Sequence, residues 1–280
     1  MTKNQQTLLK GALIIVAIIL GCVLLSKRVL FSSKTLAEYS NTLPEEQLAE
    51  TTSPPTDSLT DESAVDKTIV SPSPSPTANP IMEFYAVPLS EKQIAYITGC
   101  SYPIAEDVPN PQVLYEDLMY VHLLHYNFEG DVNAGEMICN KAIAQDIVDI
   151  FYELYLAEYQ IEKIQLIEEY NGDDNLSMQA NNTSCFNYRV VEGSTRLSKH
   201  AYGLAVDINP FYNPYVTFDS DGNAHYAPEG SEIYADRTAA FPYKIDETDL
   251  CYRLFTERGF TWGGNWNSVK DYQHFEYKLP

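Results

Sequence analysis

The sequence predicts an α+β fold in which helices pack around a small, mostly antiparallel β-sheet. Two segments of residues 81–280 have the apolar spacing of helices, and two short segments after them have the composition of strands. An Asp-Gly pair further on indicates a β-hairpin. We therefore expect residues 81–280 to form one domain, preceded by an N-terminal transmembrane helix over residues 1–31 and a disordered linker over residues 32–80.

The N-terminal anchor is predicted from an uninterrupted apolar run between Gly11 and Leu25. The run is short for a span of about 20 residues, but apolar residues on both sides can extend it while the flanking cations snorkel. A lipoprotein signal ending at Cys22 is the alternative. We favour an uncleaved signal anchor, because the chain stays apolar after Cys22 and offers no small-residue cleavage site.

Residues 32–80 are predicted to be a disordered tether. They hold seven of the 16 prolines of the chain, together with many serines and threonines and several acidic residues. Low hydrophobicity and frequent proline favour a partly extended segment without a core of its own. Such a segment would allow the domain that follows it to extend away from the membrane anchor.

Within the domain, the predicted helices are residues 112–126 and 141–159, and the predicted strands are residues 162–169 and 204–208. Strand-like residues on both sides of Asp221-Gly222 are typical of a hairpin. His122 and His125 would lie three apart on the first helix, which is a possible spacing for two metal ligands. Without a third partner, we favour surface or core positions for them.

The segment from Ser198 to Asp207 indicates a metal site on the sheet. His200 and Asp207 are separated by a glycine, Gly203, that lets the backbone turn tightly between them. Asp207 is the one ionised group in a predicted buried strand, so it needs a salt bridge, a cap or a metal as its partner. Ser198 points to the same side as His200 in extended chain, and its hydroxyl could orient a ligand or substrate or be a plain loop residue.

The segment Asp271-Tyr-Gln-His274-Phe-Glu276 supplies the rest of the predicted site. His200, Asp207 and His274 together make a three-ligand zinc site, one Zn²⁺ for the domain, whose fourth position is left to water as in catalytic zinc sites. Such a site predicts metal-assisted hydrolysis. Asp271 and Glu276 are both candidates for the general base, and their spacing from His274 does not choose between them.

At this point the sequence resembles a known family, the zinc peptidases that cut bacterial cell-wall peptides. The family contains VanY-like D-alanyl-D-alanine carboxypeptidases and the L-alanyl-D-glutamate endopeptidases of phage endolysins and bacilli. The segments that carry the resemblance are Asn181 to Arg189, Ser198 to Pro210, Trp262-Gly-Gly-Asn-Trp266 and Asp271 to Glu276.

The resemblance implies roles for individual residues. His200, Asp207 and His274 fall on the family's zinc ligands, and Asp271 falls on its general base, which decides against Glu276. Arg189 is the closest match to an arginine that holds the substrate or the oxyanion, with Arg196 as the alternative. The Asp-x-x-His pattern and the Trp-Gly-Gly-x-Trp block favour the endopeptidase branch over the carboxypeptidases.

The implied substrate is the peptide of peptidoglycan, with Ser198 and Trp266 as substrate-binding candidates. Because this substrate is outside the cell, we expect a single-pass protein of the cell membrane with an extracellular catalytic domain. The formal net charge of -21 argues against nucleic acid as a partner.

Two other classes of function are compatible with part of the sequence. A cysteine peptidase would pair Cys185 with His200, although no nucleophile motif surrounds this cysteine and the segments around Asp207 and His274 would have no purpose. An inactive, tethered wall-binding module would keep the fold and lose activity. Cys100, Cys139, Cys185 and Cys251 would lie outside the cell, where pairing is permitted but not dictated by the sequence.

Overall fold

The computed structural model describes residues 80–191 and 193–280. The predicted anchor, and the predicted linker up to residue 79, lie outside these ranges. None of the helices within them combines the length and the apolar character needed to cross a bilayer.

The first layer is an antiparallel sheet in the order β1-β2-β3, formed by β1 (Tyr85–Pro88), β2 (Leu118–Tyr126) and β3 (Val132–Asn140). Helix α1 (Glu91–Ile97) follows β1 and starts with a capping box between Ser90 and Gln93. Helix α2 (Ala144–Leu156) packs against β2 and confirms the predicted helix at residues 141–159.

The predicted helix over residues 112–126 is wrong. A short 3₁₀ turn, Tyr115–Asp117, leads into β2, which lies between β1 and β3 and hydrogen-bonds to both of them. Buried and partly exposed side chains largely alternate along it, and its two-sided pairing outweighs the helical spacing of its leucines. His122 and His125 therefore point to opposite faces, and their Nδ1 atoms contact the carbonyls of Glu83 and Ile161 respectively.

Three further small sheets follow. A parallel pair joins β4 (Lys163–Ile164) to β5 (Asn182–Thr183), and the segment beyond β4 continues as a 3₁₀ turn, Ile167–Tyr170, rather than as the predicted strand to residue 169. The predicted hairpin is confirmed by β7 (Tyr215–Phe218) and β8 (Ala224–Ala227), with β10 (Lys270–Asp271) on the other edge of β7. The last sheet has the order β6-β11-β9, formed by β6 (Ala205–Asp207), β11 (His274–Glu276) and β9 (Thr261–Trp262).

The α+β prediction is thus confirmed, but the expected single sheet is three small antiparallel sheets and one parallel pair in the described ranges. Two more helices, α3 (Asp174–Gln179) and α4 (Leu250–Glu257), complete the architecture. The core lies between α2, α4 and the inner faces of β6 and β11, where Phe275 stacks on Phe255 with 4.5 Å between ring centroids. Because side chains alternate along a strand, burial of Phe275 places His274 and Glu276 on the opposite face of β11.

Candidate metal centre

His274 and Asp207 lie directly opposite each other on β11 and β6. The amide of Ile208 donates to the carbonyl of Gln273, so His274 and Asp207 form a non-hydrogen-bonded pair of the antiparallel ladder. Side chains approach each other more closely at such pairs than at hydrogen-bonded ones. His274 Nδ1 accordingly lies 2.9 Å from Asp207 Oδ1.

His200 reaches the pair from a 3₁₀ turn, Lys199–Tyr202, that precedes β6. The turn begins at Ser198, whose hydroxyl accepts from the amide of His200, and ends at Gly203, which has a φ of 64°. A Cβ at Gly203 would lie 2.7 Å from the amide nitrogen of Asn140 on β3, so both the backbone conformation and the space require glycine. The turn places His200 Nε2 3.2 Å from Asp207 Oδ2 and 3.2 Å from His274 Nδ1.

The donor set of this cluster fits a divalent cation. The outward-facing nitrogens are both engaged: His200 Nδ1 lies 2.6 Å from the carbonyl oxygen of Cys185, and His274 Nε2 lies 3.4 Å from Glu276 Oε2. With a metal bound, each ring would donate an N–H outwards and offer its other nitrogen to the metal on the side of Asp207. In the described part of the chain, His200, Asp207 and His274 form the one buried cluster of potential metal ligands, and their ligand atoms all lie within 4.8 Å of one another.

Asp271 is the fourth polar group of the site, and its side chain is partly buried. Its Oδ2 lies 4.0 Å from His274 Nδ1, and its Oδ1 is buried without a hydrogen-bond partner. Burial raises the pKa of this carboxyl to about 7; the charge of His274 opposes this, and the charge of Asp207 adds to it. Asp271 therefore combines an open acceptor position with a pKa suited to proton transfer near neutrality.

The histidine and the aspartate of the ladder pair shift each other's pKa in opposite directions. Burial alone would raise the pKa of Asp207, but the charges and hydrogen bonds of His200 and His274 outweigh it and lower that pKa. Burial alone would lower the pKa of His274, but hydrogen bonds to Asp207 and Glu276 raise it to about 10. Both shifts favour an ionised aspartate beside a protonated histidine in the metal-free protein.

Glu276 lies on the other side of His274 from Asp271. Its hydrogen bond to His274 lowers the pKa of Glu276 against the opposing effect of burial, and the charges of Lys199 and Arg196 contribute. Glu276 contacts Nε2 of His274, and Asp207 contacts Nδ1 of the same ring. Glu276 therefore orients the ring from the side opposite Asp207. The sequence marked Glu276 only as a rival base, and it gave no signal for the carbonyl of Cys185, which is a backbone atom.

The Trp-Gly-Gly-x-Trp block supports the strand that carries Asp271. Trp262 Nε1 donates to the carbonyl of Tyr272, and a Cβ at Gly263 would lie 2.6 Å from the carbonyl oxygen of Asp271. The ring of Trp266 is partly exposed, with its centroid 5.3 Å from that of His274. Of the two predicted substrate contacts, Trp266 therefore flanks the cluster, whereas the Ser198 hydroxyl caps the turn of His200.

Arg189 is engaged by an acidic partner. Its Nη2 lies 2.6 Å from Asp174 Oδ2 on α3, and its Nε is buried without a hydrogen-bond partner. The carbonyl of Arg189 accepts from the amide of Ser198, so its backbone abuts the turn of His200. The sequence did not reveal the pairing with Asp174, because the two residues meet only through the fold.

The cysteine peptidase alternative is contradicted by the position of Cys185. The carbonyl of this residue, not its thiol, contacts His200, and the thiol is directed to the carbonyl of Gly203. Burial raises the pKa of the Cys185 thiol well above its ordinary value, so a thiolate nucleophile is disfavoured. Cys100, Cys139, Cys185 and Cys251 are all free thiols in the described part of the chain.

Residues 192–277 match the model of a peptidase M15 family described as D-alanyl-D-alanine carboxypeptidase. No curated protein and no solved structure matches the chain. The matched segment contains His200, Asp207, Asp271 and His274. The resemblance seen in the sequence is confirmed over this segment, and the match supports a peptidoglycan-acting zinc metallopeptidase of the carboxypeptidase kind.

Proposed function

We propose that this zinc metallopeptidase removes the terminal D-alanine from peptidoglycan stem peptides that end in D-alanyl-D-alanine. The observation that carries the proposal is the convergence of His200, Asp207 and His274 beside Asp271, within a segment that matches a family described by this activity. His200 Nε2, Asp207 and His274 Nδ1 are the atoms that would hold the zinc ion. When bound, zinc supplies Lewis-acid polarisation of the scissile carbonyl and lowers the pKa of a water molecule.

Asp271 acts as the general base. Its carboxylate accepts a proton as the water oxygen attacks the carbonyl carbon, and it passes this proton to the nitrogen of the leaving D-alanine when the C–N bond breaks. The unpartnered Oδ1 gives Asp271 an acceptor position for that proton, since no protein group competes for it. Glu276 keeps the His274 ring in one orientation and one tautomer throughout.

The substrate contacts are proposed from the same geometry. Trp266 forms an apolar wall beside His274. Arg189 binds the substrate carboxylate or the oxyanion through nitrogens other than Nη2, which Asp174 already occupies. Residues 1–31 anchor the protein in the cell membrane, and residues 32–80 carry the domain to the wall outside.

The L-alanyl-D-glutamate endopeptidase activity favoured by the sequence is the second candidate. The observation in its favour is that the base is the aspartate of an Asp-x-x-His pattern rather than the glutamate of a Glu-x-Trp-His pattern. The two activities use the same catalytic groups and differ in the bond that is placed beside them.

Mass spectrometry of muropeptides with pentapeptide stems separates the candidates. Loss of one alanine supports the carboxypeptidase, and a cut after the first L-alanine supports the endopeptidase. Asp271→Asn should lower the rate of either cleavage by about 10²–10⁴-fold and His200→Ala should abolish it, whereas the exposed hairpin variant His225→Ala should retain it. No cleavage by the zinc-loaded wild type would favour an inactive wall-binding module.

A further inference from the structure

A second concave site lies outside the metal centre. It is an open pocket of about 420 Å³ between the C-terminal end of α2 and the segment that leads into α4. Glu158, Tyr159 and Gln160 form one wall, and Phe241, Tyr243 and Asp246 belong to the other. We call it the α2–α4 pocket. Its volume is within the range of about 300–1,000 Å³ that is usual for small-molecule sites.

Tyr243 is held in a costly conformation at this pocket. Its φ is 61°, in the left-handed region that bulky side chains rarely adopt. The ring stacks on Phe128 with 3.5 Å between centroids, and the carbonyl accepts from Asn213 Nδ2. Glu158 on the opposite wall also has a positive φ, 52°. A residue on each wall therefore has a backbone conformation that costs free energy, as residues at functional sites often do.

Several polar atoms of the pocket remain available to a ligand. Among the described residues, the Tyr243 hydroxyl, the Glu158 carboxylate and Gln160 Oε1 have no hydrogen-bond partner. Gln160 is fixed because its Nε2 donates to the carbonyls of Asn127 and Phe128. The pocket thus presents one hydroxyl and several oxygen acceptors next to aromatic rings, an arrangement that suits a neutral ligand rich in hydroxyl groups.

Charged ligands fit the pocket less well. Its carboxylates do not converge as cation ligands, because Asp246 is occupied by Lys244 and Asp249 accepts from the hydroxyl of Tyr159. Three carboxylates line the pocket against one ammonium group, and this excess of negative charge disfavours phosphates and carboxylates.

A stack of side chains leads from the pocket towards the segment that carries Asp271. The guanidinium of Arg237 lies 5.1 Å from the ring centroid of Phe241, which lines the pocket, and 4.4 Å from that of Tyr272, which follows Asp271. An extended peptide advances about 3.3–3.6 Å per residue, so a stem of four residues spans roughly 14 Å. A substrate that fills both sites would have to bridge them with a stem of about this length.

We propose that the α2–α4 pocket binds an N-acetylated amino sugar of the glycan strand that carries the stem peptide. The inference rests on the proposed function, since it names a second part of the same substrate. Tyr243 provides the ring for the apolar face of the sugar, and Glu158 and Gln160 accept from its hydroxyls.

Binding is tested with a peptide-free probe, a soluble β-1,4-linked tetramer of N-acetylglucosamine. Calorimetric titration into the full chain bearing Asp271→Asn should give saturable binding. Tyr243→Asn, which tolerates the left-handed backbone and removes the ring, should weaken it at least about fivefold. Glu158→Gln should weaken it less, and Tyr226→Asn on the β7–β8 hairpin should leave it unchanged. Absent binding, or equal binding by Tyr243→Asn of unchanged melting temperature, would overturn the proposal.

Kinetics separate this inference from the proposed function. In the otherwise wild-type chain, Tyr243→Asn should raise KM for a disaccharide-linked stem peptide and leave kcat and KM for the free stem peptide unchanged. Equal KM for both substrates in the wild type would refute the sugar site while the peptidase stands. If neither substrate is cleaved, the proposed function fails, and the tetramer titration still decides whether the pocket binds sugar.

Discussion

Asp271 is a partly buried carboxyl group whose Oδ1 atom is buried without a hydrogen bond. Asp271→Asn should lower kcat by about 10²–10⁴-fold, the usual contribution of a general base, and should keep zinc, because Asp271 is not part of the converging trio. The check is steady-state kinetics together with metal analysis of the purified variant. Loss of zinc along with activity would mean that Asp271 is a ligand.

The same substitution should stabilise the metal-free protein. Folding raises the pKa of Asp271 from 3.8 to about 7, so the folded protein holds a proton that the unfolded chain has released between these values. The free energy of unfolding then falls as the pH rises through this interval, so at pH 8 the ionised Asp271 destabilises the folded state. Asparagine has no such charge and removes this destabilisation. We expect a higher melting temperature for Asp271→Asn than for the wild type, both in chelator at pH 8.

His274 should make the proposed zinc binding dependent on pH. In the metal-free protein its pKa is about 10, while the pKa of Asp207 is lowered, so at pH 8 the histidine is protonated and the aspartate is ionised. Zinc needs the lone pair on Nδ1, and its binding should release about one proton, with affinity rising as the pH increases towards 10. Calorimetry at pH 8 in buffers of different ionisation enthalpy measures this release. A heat of binding that is the same in every buffer would contradict it.

At the scale of elements, the pairing of β6 with β11 determines which side chains meet at the candidate metal centre. Its register puts Asp207 opposite His274, and the alternation of side chains puts Phe275 in the core and Glu276 behind the histidine ring. A register shift of one residue would turn His274 towards the apolar core and Phe275 towards the side of Asp207 and His200, so packing of the phenylalanine in the core fixes the register of the candidate metal site.

The turn after β9 fixes the position of Asp271, the proposed base. Gly263→Ala would place a Cβ 2.6 Å from the carbonyl oxygen of Asp271 and 2.8 Å from its Cβ, and β10 would have to move. We expect a loss of about 1–3 kcal/mol in stability and a fall of about 10²-fold in kcat, since a displacement near 1 Å has that effect on catalysis. Thermal denaturation and kinetics measure the two effects.

Gly135→Ala is the matched control for this prediction. Its Cβ would lie 2.7 Å from Ile164 Cβ, a clash of similar severity between β3 and β4. It should lower stability and leave kcat unchanged. Equal losses of kcat in both variants would show that Gly263 acts through overall stability alone.

At the scale of the whole molecule, the centre joins the turn before β6 to the C-terminal strand β11, which are more than 70 residues apart in the sequence. A metal that binds only the folded state stabilises it by about 2.7 kcal/mol at a concentration of 100 times its Kd. Zinc should therefore raise the melting temperature by several degrees, and chelator should reverse the shift. His200→Ala should abolish the shift, and His225→Ala should keep it; a shift that survives in His200→Ala would place the zinc elsewhere.

The sequence predicted elements well where a single local signal decided the structure. The amphipathic helix α2 and the Asp-Gly hairpin of β7 and β8 follow from nearby residues alone. Residues 112–126 were assigned wrongly because their structure depends on partners on both sides, β1 and β3, that a local apolar pattern does not contain. The division into several small sheets was missed for the same reason, since strands pair with partners that are distant in the sequence.

The sequence by itself determined the chemistry of the site: two histidines and an aspartate as a converging set, an acid three residues before the second histidine, and a glycine at the turn. These are properties of residue type and short spacing. Only the tertiary structure decided that Asp271 lies by the metal-facing Nδ1 of His274 and Glu276 by its Nε2, that Arg189 is paired with Asp174, and that the carbonyl of Cys185 orients His200. The physical reason is that the direction of a side chain is set by strand register and by contacts between segments that are distant in the chain.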